Sequence, residues 1–296
     1  MSSLRIYLFG KFEIYCCEQV LAALDSRKAQ ELFCYLLIHR DRSHPREALA
    51  ELLWVDSSAI QSKKYLRKTL WQLQTTLESA SSPLSNPVLL VDLDWIRLNP
   101  LADLWLDVAV FERVFTQLQG VPGKDLDPES VQTLRRAVNL YRGDLLENWY
   151  QDWCLCERER LQSVYRAMLD KLIDYCEARR QYDTGLVYAA RVLCCDPARE
   201  RTHRQLMRLH YLAGDRTTAL RQYEHCIGIL EKELGVTPTK RTKALYEQIR
   251  ADQLDKSVRA SAEVTTTLDA ITTTLPKILD RLNQLHAILI NPQHET

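Results

Sequence analysis

The 296-residue sequence has little glycine and no excess of either charge sign. Only eight glycines occur, too few for a glycine-rich phosphate loop of standard spacing, so nucleotide-dependent chemistry is not expected. The 39 Lys and Arg residues equal the 39 Asp and Glu residues in number, so the net charge does not indicate a nucleic-acid-binding tail. A hydrophobic content of 46% excludes an intrinsically disordered protein and predicts two or three folded domains at this length.

Targeting and membrane-spanning segments are also missing from the sequence. The N-terminus has no signal-peptide pattern, and no run approaches the roughly 18 apolar residues that cross a bilayer. The nine cysteines are odd in number and include the adjacent pairs Cys16/Cys17 and Cys194/Cys195, which does not suit a disulfide framework. We therefore expect a cytoplasmic protein that does not bind a membrane.

Catalytic and metal-binding motifs are absent as well. The sequence contains no G-x-S-x-G, H-E-x-x-H or P-loop string. Cys154 and Cys156 form a C-x-C, but no second Cys/His pair lies nearby, so helical packing is favoured over zinc binding. His203 and His210 lie on a predicted helix, where ordinary core or surface histidines are commoner than ligands. We predict no enzyme activity, no metal site and no cofactor.

The first hundred residues change from a strand-like to a helix-like hydrophobic period. β-Branched and aromatic runs at residues 4–9 and 12–16 predict a pair of strands. Apolar residues then recur every three or four positions, which predicts a helix from Ser26 to near Arg40. A second helix is expected to begin at Pro45, because proline suits the first helical position.

A third helix is predicted between residues 61 and 78, where Glu78 is the only acidic residue. Its buried side is formed by Leu66, Leu70, Leu73 and Leu77. The residues that face away from these leucines are Lys64, Lys68, Trp71 and Thr75, with Arg67 and Gln72 beside them and Lys63 nearer the buried edge. Residues 88–91 and 95–98 predict a closing hairpin. This order of elements is typical of a winged helix-turn-helix, whose last helix enters the DNA major groove.

The cations of the third helix are the candidate DNA contacts, since phosphates attract cations and base edges need long side chains. We predict groove contacts by Lys64, Arg67, Lys68 and Gln72. The further candidates are Lys63, Trp71, Thr75, Arg27, Lys28, Arg46 and Arg97. Two alternatives stay open: the basic side is only a solvated helix face, and Trp71 packs under a loop or the hairpin.

These residues resemble the DNA-binding domain of the SARP-type bacterial transcriptional activators, itself similar to the winged helix of response regulators. The resemblance runs from Leu4 to about Leu98, and its specific pieces are Ser26-Arg27-Lys28-Ala29, Arg46-Glu47-Ala48-Leu49 and Lys64-Tyr65-Leu66-Arg67-Lys68. Gln72-Leu73-Gln74 stands where many relatives carry Arg-Leu-Arg, and the hairpin tip Asp92-Leu93-Asp94 is acidic. Both departures weaken the attraction to phosphates.

After about residue 105 the sequence indicates helices almost throughout. Residues 106–118 begin the helical run, and the turn-rich residues 121–128 are expected to cap the next helix. Gly185-Leu186 and Ala219-Leu220 recur at a spacing of 34 residues, the tetratricopeptide period. Asp196-Pro197 is expected to start a helix between them. Such helix pairs stack and leave a concave surface that holds partners.

Residues 105–250 resemble the bacterial transcriptional activator domain that follows the winged helix in the SARP family. The matching pieces include Leu140-Tyr141-Arg142-Gly143-Asp144-Leu145-Leu146, Cys195-Asp196-Pro197 and Leu230-Glu231-Lys232-Glu233-Leu234-Gly235. The two modules in this order imply promoter binding, often at direct repeats, with recruitment of RNA polymerase. The resemblance stops near Arg250, where larger relatives continue into an ATPase module that is not found here.

The last segment has a heptad pattern. Its apolar residues follow alternating spacings of four and three: Val264, Leu268, Ile271, Leu275, Ile278, Leu282, Leu285 and Leu289. Pro276 interrupts the helix but keeps the register. The pattern fits two alternatives equally well. The helix forms the contact surface with a second copy or a partner protein, or it packs on the repeats of its own chain.

Together these patterns predict a mainly α protein with a winged helix-turn-helix at 1–100, tetratricopeptide-like repeats at 101–250 and an association helix at 251–296. The predicted function is a non-enzymatic transcriptional regulator that binds double-stranded DNA, with RNA polymerase or a sigma factor as further partners. The alternative is a protein-binding adaptor or inhibitor, for example of a sigma factor or a nearby-encoded effector, whose winged helix is only a scaffold.

Overall fold

The computed structural model describes residues 4–16, 19–20, 24, 26–80 and 86–254. The chain divides into two compact units, Met1–Gln181 and Tyr182–Thr296. Helices dominate both units and the sheets are small, which confirms the predicted fold class. The unit boundary falls inside the predicted second domain, so the borders at residues 100 and 250 stay predictions. The heptad residues 264–289 lie outside the described residues.

The first unit begins with strands, three helices and a hairpin. In chain order these elements are β1 (Leu4–Tyr7), β2 (Glu13–Cys16), β3 (Gln19–Val20), α1 (Arg27–Ile38), β4 (His44–Pro45), α2 (Arg46–Leu53), α3 (Ala59–Ala80), β5 (Leu89–Val91), β6 (Trp95–Leu98) and β7 (Leu104–Leu106). The strand pair, the three helices and the hairpin agree with the sequence prediction, except that Pro45 lies in β4 as the N-cap of α2 and the helix begins at Arg46. The β5–β6 hairpin is called the wing below.

The strands of this part of the chain form two small sheets. One sheet has the order β3-β2-β1-β7, in which β1 pairs antiparallel with β2 and parallel with β7. The other has the order β4-β6-β5. Strand β7 was not predicted, because its three residues lead directly into a helical pattern. The leucines at positions 66, 70, 73 and 77 of α3 are all buried, so the predicted helix face is confirmed and its opposite face is left to solvent.

The rest of the first unit consists of α4 (Asp107–Gln117), a 3-10 turn (Gly123–Asp125), α5 (Pro128–Val138) and α6 (Asp152–Ala178). The carboxylate of Asp127 accepts hydrogen bonds from the backbone N–H groups of Glu129 and Ser130. Pro128 follows at the start of α5, as expected of a proline in the first helical turn. The predicted cap in the turn-rich segment is therefore confirmed.

Residues 139–151 are not helical, which corrects the expectation of helices throughout. This connecting segment is held by tertiary hydrogen bonds: Leu146 N–H donates to the Leu8 carbonyl at 2.9 Å and Glu147 N–H to the Gly10 carbonyl at 2.8 Å. The guanidinium of Arg158 donates to the Leu145, Leu146 and Trp149 carbonyls. These partners satisfy backbone groups that would otherwise need a helix.

The buried side chain of Asp107 joins the end of β1 to α4. Its carboxylate accepts hydrogen bonds from the backbone N–H groups of Leu8 and Phe9 at 2.9 and 3.0 Å, and from its neighbour Val108 at 2.7 Å. Burial raises the pKa of Asp107 to about 6, although the three hydrogen bonds pull it down. The ion is therefore tolerated only because the backbone solvates it.

The second unit contains α7 (Tyr182–Cys195), α8 (Glu200–Leu212), α9 (Arg216–Leu234) and α10 (Lys240–Arg250). Gly185 and Ala219, which recur at the tetratricopeptide period, are both buried. The expectation that a helix starts at Asp196-Pro197 is wrong by about one turn, because α8 starts at Glu200. The Pro197 carbonyl is instead bound by the His203 ring at 2.8 Å.

The structure places the remaining candidates for metal binding in ordinary surroundings. Cys154 is buried and lies beside Arg158, whereas Cys156 is exposed. Among the residues with described placement, no group of three or more His, Cys, Asp or Glu side chains is arranged to hold a metal ion. In the same part of the chain, no helix combines the length and apolarity that crossing a membrane requires.

Candidate nucleic-acid interface

Helix α3 presents one continuous exposed side to solvent, opposite its buried leucines. Lys64, Arg67, Lys68, Trp71 and Thr75 are exposed on that side, and Gln72 is half-buried. The helix carries them at intervals of three and four residues, so successive side chains lie above one another on one face. The structure thus brings together the residues of the third helix that the sequence singled out.

The side chain of Trp71 does not pack under a loop or the wing. It is 66% exposed, in contrast to Trp149, which is buried, and to Trp54, whose ring lies 6.1 Å from that of Tyr65. The open alternative for Trp71 is therefore wrong. An indole in this position presents a large apolar surface among cations.

Lys63 differs from the other cations of α3 because it has a partner within the protein. Its ammonium group lies 2.5 Å from the Glu47 carboxylate on α2. The hydrogen bond from Lys63 lowers the pKa of Glu47 from its ordinary value. Lys63 is exposed, and its partner on α2 lies on the side toward which the wheel placed it. This pair links α3 to α2 and reduces the charge that Lys63 offers to a ligand.

Arg27 and Lys28, at the start of α1, also bind within the protein. The Arg27 guanidinium lies 4.1 Å from the centre of the Trp149 ring. Lys28 donates hydrogen bonds to the Glu31 carboxylate at 2.9 Å and to the Leu53 carbonyl at 2.6 Å. Both side chains therefore have a packing role, and the structure does not group them with the free cations of α3.

Arg46 and Arg97 belong to the surroundings of the wing. The Arg46 guanidinium donates to the Asp92 carbonyl at 3.1 Å, and its backbone N–H donates to the Asp94 carbonyl at 2.8 Å. Arg97 is exposed on β6. Arg46 thus anchors the wing to the start of α2, while the acidic side chains at the tip face solvent.

An open groove of about 560 Å³ separates α3 from the wing. Its lining residues include Arg46, Lys63, Arg67, Leu93 and Trp95. Glu47 and Asp94 line it as well, so cations, carboxylates and apolar side chains share one concave surface beside the exposed face of α3.

Three exposed apolar residues at this surface escaped the sequence analysis. Ile60 is 84% exposed one turn before Lys64, Leu93 is 92% exposed at the wing tip, and Trp95 is 47% exposed beside it. Extending the helical wheel four residues before Lys64 would have found Ile60. No sequence pattern indicated that Leu93 or Trp95 is exposed. In a short hairpin, the alternation of side chains between two faces does not show which face packs on the protein.

The first unit begins with the element order of a winged helix-turn-helix, which is a DNA-binding motif, and helices follow it. Residues 106–250 match the family described as bacterial transcriptional activator domain. This match supports the resemblance to the SARP-type bacterial transcriptional activators that was inferred from the sequence.

Individual relatives agree with this assignment. The chain is 23% identical over 233 residues to transcriptional regulatory protein MoaR1 of Mycobacterium tuberculosis, which covers 76% of this chain and 73% of the relative. It is 24% identical over 271 residues to regulatory protein AfsR of Streptomyces coelicolor, covering 90% of this chain but 26% of AfsR. The first relative is named as a regulator of transcription and the second as a regulatory protein.

A solved structure supports the fold. The structure of M. tuberculosis EmbR in complex with a low affinity phosphopeptide matches with a TM-score of 0.69 and 20% sequence identity. The match covers 90% of this chain and 71% of the EmbR chain. At this identity the likeness concerns the fold alone.

Proposed function

We propose that this protein is a sequence-specific DNA-binding regulator that contacts promoter DNA through the exposed face of α3. The observation that carries the proposal is the group of free cations on that face. Within the described residues, Lys64, Arg67 and Lys68 have no carboxylate partner. Cations without a partner can neutralise phosphates and release counterions without first breaking an ion pair.

The wing is expected to contribute less to DNA affinity than α3. Asp92 and Asp94 are exposed at its tip, where their charge repels phosphates. Affinity for DNA then depends on α3, with Arg67 and Gln72 placed beside the outward stripe for base or backbone contacts. Because few cations take part, non-specific binding is weak, and a second copy or a protein partner strengthens the complex.

The second half of the proposal concerns the helical repeats. Stacked helix pairs offer surfaces for proteins rather than catalytic groups, so the repeats serve homodimerisation or contacts with RNA polymerase, and the protein is not an enzyme. A regulator of this kind acts on promoters in the bacterial cytoplasm.

Salt-dependent binding by the full chain tests the DNA contact. Duplexes are first selected from a random pool, and the affinity of the selected duplex is measured at several salt concentrations. The double variant Lys64→Ala/Lys68→Ala should bind more weakly, and the slope of log K against log salt should flatten by about 2. The matched control Lys240→Ala/Lys243→Ala removes two exposed cations from α10 and should leave the slope unchanged. Equal binding by the α3 variant at every salt concentration would contradict the proposal.

The exposed leucine at the acidic wing tip favours a second candidate function. A protein-binding adaptor could use Leu93 between Asp92 and Asp94 against a basic partner, with the winged helix as a scaffold. Saturable, sequence-selective duplex binding by the full chain argues against the adaptor. A defined protein partner, found together with no affinity for any duplex, argues for it.

A further inference from the structure

The exposed tryptophan on α3 has surroundings that no other tryptophan of the chain shares. Trp71 has the largest exposed fraction of the tryptophans, and within the described ranges its ring has no aromatic or cation partner. Trp95, the other exposed indole, lies on the wing instead. A free indole surface in water is unfavourable, so its position calls for a ligand that covers it.

The position of Trp71 is the middle of the outward face of α3. Lys68 precedes it by one turn, Lys64 by two turns, and Thr75 follows it by one turn. The rise of the helix places Trp71 about 4.5 Å beyond Lys68 along the axis. The indole is therefore flanked by cations on one side and by the Thr75 hydroxyl group on the other, with the exposed carboxylate of Glu78 one further turn away.

These neighbours fit DNA better than a protein surface. Lysine is depleted from the cores of protein–protein interfaces, where tryptophan is usually found. In the major groove, by contrast, phosphates flank the base edges, and the C5-methyl group of thymine is the apolar feature of those edges. A ring between two lysines and a threonine matches this arrangement of anionic walls around an apolar methyl group.

We infer that Trp71 recognises thymine by contact with its C5-methyl group, so that the promoter site carries a thymine at one fixed position. This inference rests on the proposed function and adds a base preference to it. Trp71 is exposed and lies outside the leucine core, so its replacement should leave the fold intact.

Replacing single thymines by deoxyuridine tests the inference, because the change removes only the methyl group. Each thymine of the selected duplex is replaced in turn, and binding by the full chain is measured. One position per binding site should lose about fourfold in affinity, the effect of one buried methyl-sized group. Trp71→Ala should bind thymine and deoxyuridine equally at that position, and Trp71→Phe should keep part of the difference.

A parallel measurement with Trp95→Ala provides the matched control, since this variant removes an exposed indole from the wing. Trp95→Ala should keep the full fourfold preference for thymine. If no position distinguishes thymine from deoxyuridine, or if Trp71→Ala still distinguishes them, the inference is overturned while the DNA-binding function stands. If Trp71→Ala binds every duplex as the unaltered chain does, the indole does not contribute to DNA binding and the inference is overturned too. Failure of the full chain to select any duplex refutes the proposed function itself.

Discussion

The guanidinium of Arg27 lies over the indole of Trp149, 4.1 Å from the ring centre. Arg27 begins α1 of the winged helix, whereas Trp149 belongs to the connecting segment at residues 139–151. The same guanidinium also donates to the Asn148 carbonyl at 3.4 Å. One side chain thus ties the winged helix to the helices that follow it within the first unit.

This contact predicts that Arg27 contributes to stability rather than to DNA affinity. Arg27→Ala should lower the free energy of unfolding by about 0.5 to 1 kcal/mol, the value of an exposed cation–π contact. Its affinity for the selected duplex should be unchanged. Urea denaturation and duplex titration measure the two quantities. Lys64→Ala is the matched comparison and should show the opposite behaviour, with weaker DNA binding and a stability within about 0.5 kcal/mol of the unaltered chain. A loss of affinity in Arg27→Ala at unchanged stability would restore Arg27 as a phosphate contact.

Asp107 predicts a pH dependence of stability. Because the pKa of its carboxyl group is about 6 in the fold and about 3.9 in an unfolded chain, the folded state holds the extra proton between these two values. The free energy of unfolding therefore falls as the pH rises from about 4 to 6, and Asp107 contributes a decrease of about 2 to 3 kcal/mol.

Asp107→Asn isolates this contribution. The amide cannot ionise, and its N–H₂ group faces backbone N–H groups whose hydrogen bonds the carboxylate accepts. The free energy of unfolding of the variant should therefore be lower by about 1 to 3 kcal/mol at neutral pH. Urea denaturation from pH 4 to 7.5 gives the stability of both proteins. Relative to the variant, the unaltered chain should lose stability as the pH rises through this range. Parallel pH profiles would show that Asp107 does not titrate in it.

Gly123 predicts a close-packing effect in the first unit. A Cβ atom at this position would lie 2.8 Å from the Lys171 Cα and the Asp174 Cβ on α6, and closer still to the Lys171 carbonyl. Gly123→Ala should therefore destabilise the protein by about 1 to 3 kcal/mol, because a backbone must move.

A second glycine provides the control for this substitution. Gly228 lies within α9, and nothing lies within 4 Å of a Cβ added there. Gly228→Ala should stabilise the protein by up to about 1 kcal/mol, since alanine favours the helix over glycine. Thermal denaturation of the two variants measures both effects. Equal shifts of the melting temperature would mean that the close packing around Gly123 does not disfavour a Cβ atom there.

Local patterns predicted the elements whose apolar faces are regular. The four leucines of α3 recur at helical spacing and are all buried, and the two β-branched and aromatic runs at the N-terminus form β1 and β2. In both cases the information lies in residues that are close together along the chain, so the local pattern is enough to predict the element. The same reasoning identified the outward residues of α3, since a helix that buries one face must expose the other.

Local patterns could not predict contacts between residues that are distant along the chain. Strand β7 pairs with β1 about one hundred residues earlier, and its three residues are too short to show a period. Residues 139–151 lie outside a helix because the carbonyls of Leu8 and Gly10, just after β1, and the guanidinium of Arg158 bind their backbone. Whether Arg27, Lys28 and Lys63 are free or paired also depended on partners brought close only by folding.

The sequence by itself therefore determined the order of the modules, the family that the chain resembles and the helix whose outer face carries the cations. Its equal numbers of acidic and basic residues said little about DNA. The tertiary structure decided which cations remain without a partner: Lys64, Arg67 and Lys68 are left free, whereas Lys63, Arg27 and Lys28 bind a carboxylate, an indole or a carbonyl. It also left Trp71 exposed among the free cations. The physical reason is that charge and period act locally, whereas pairing and exposure depend on which distant surfaces folding brings together.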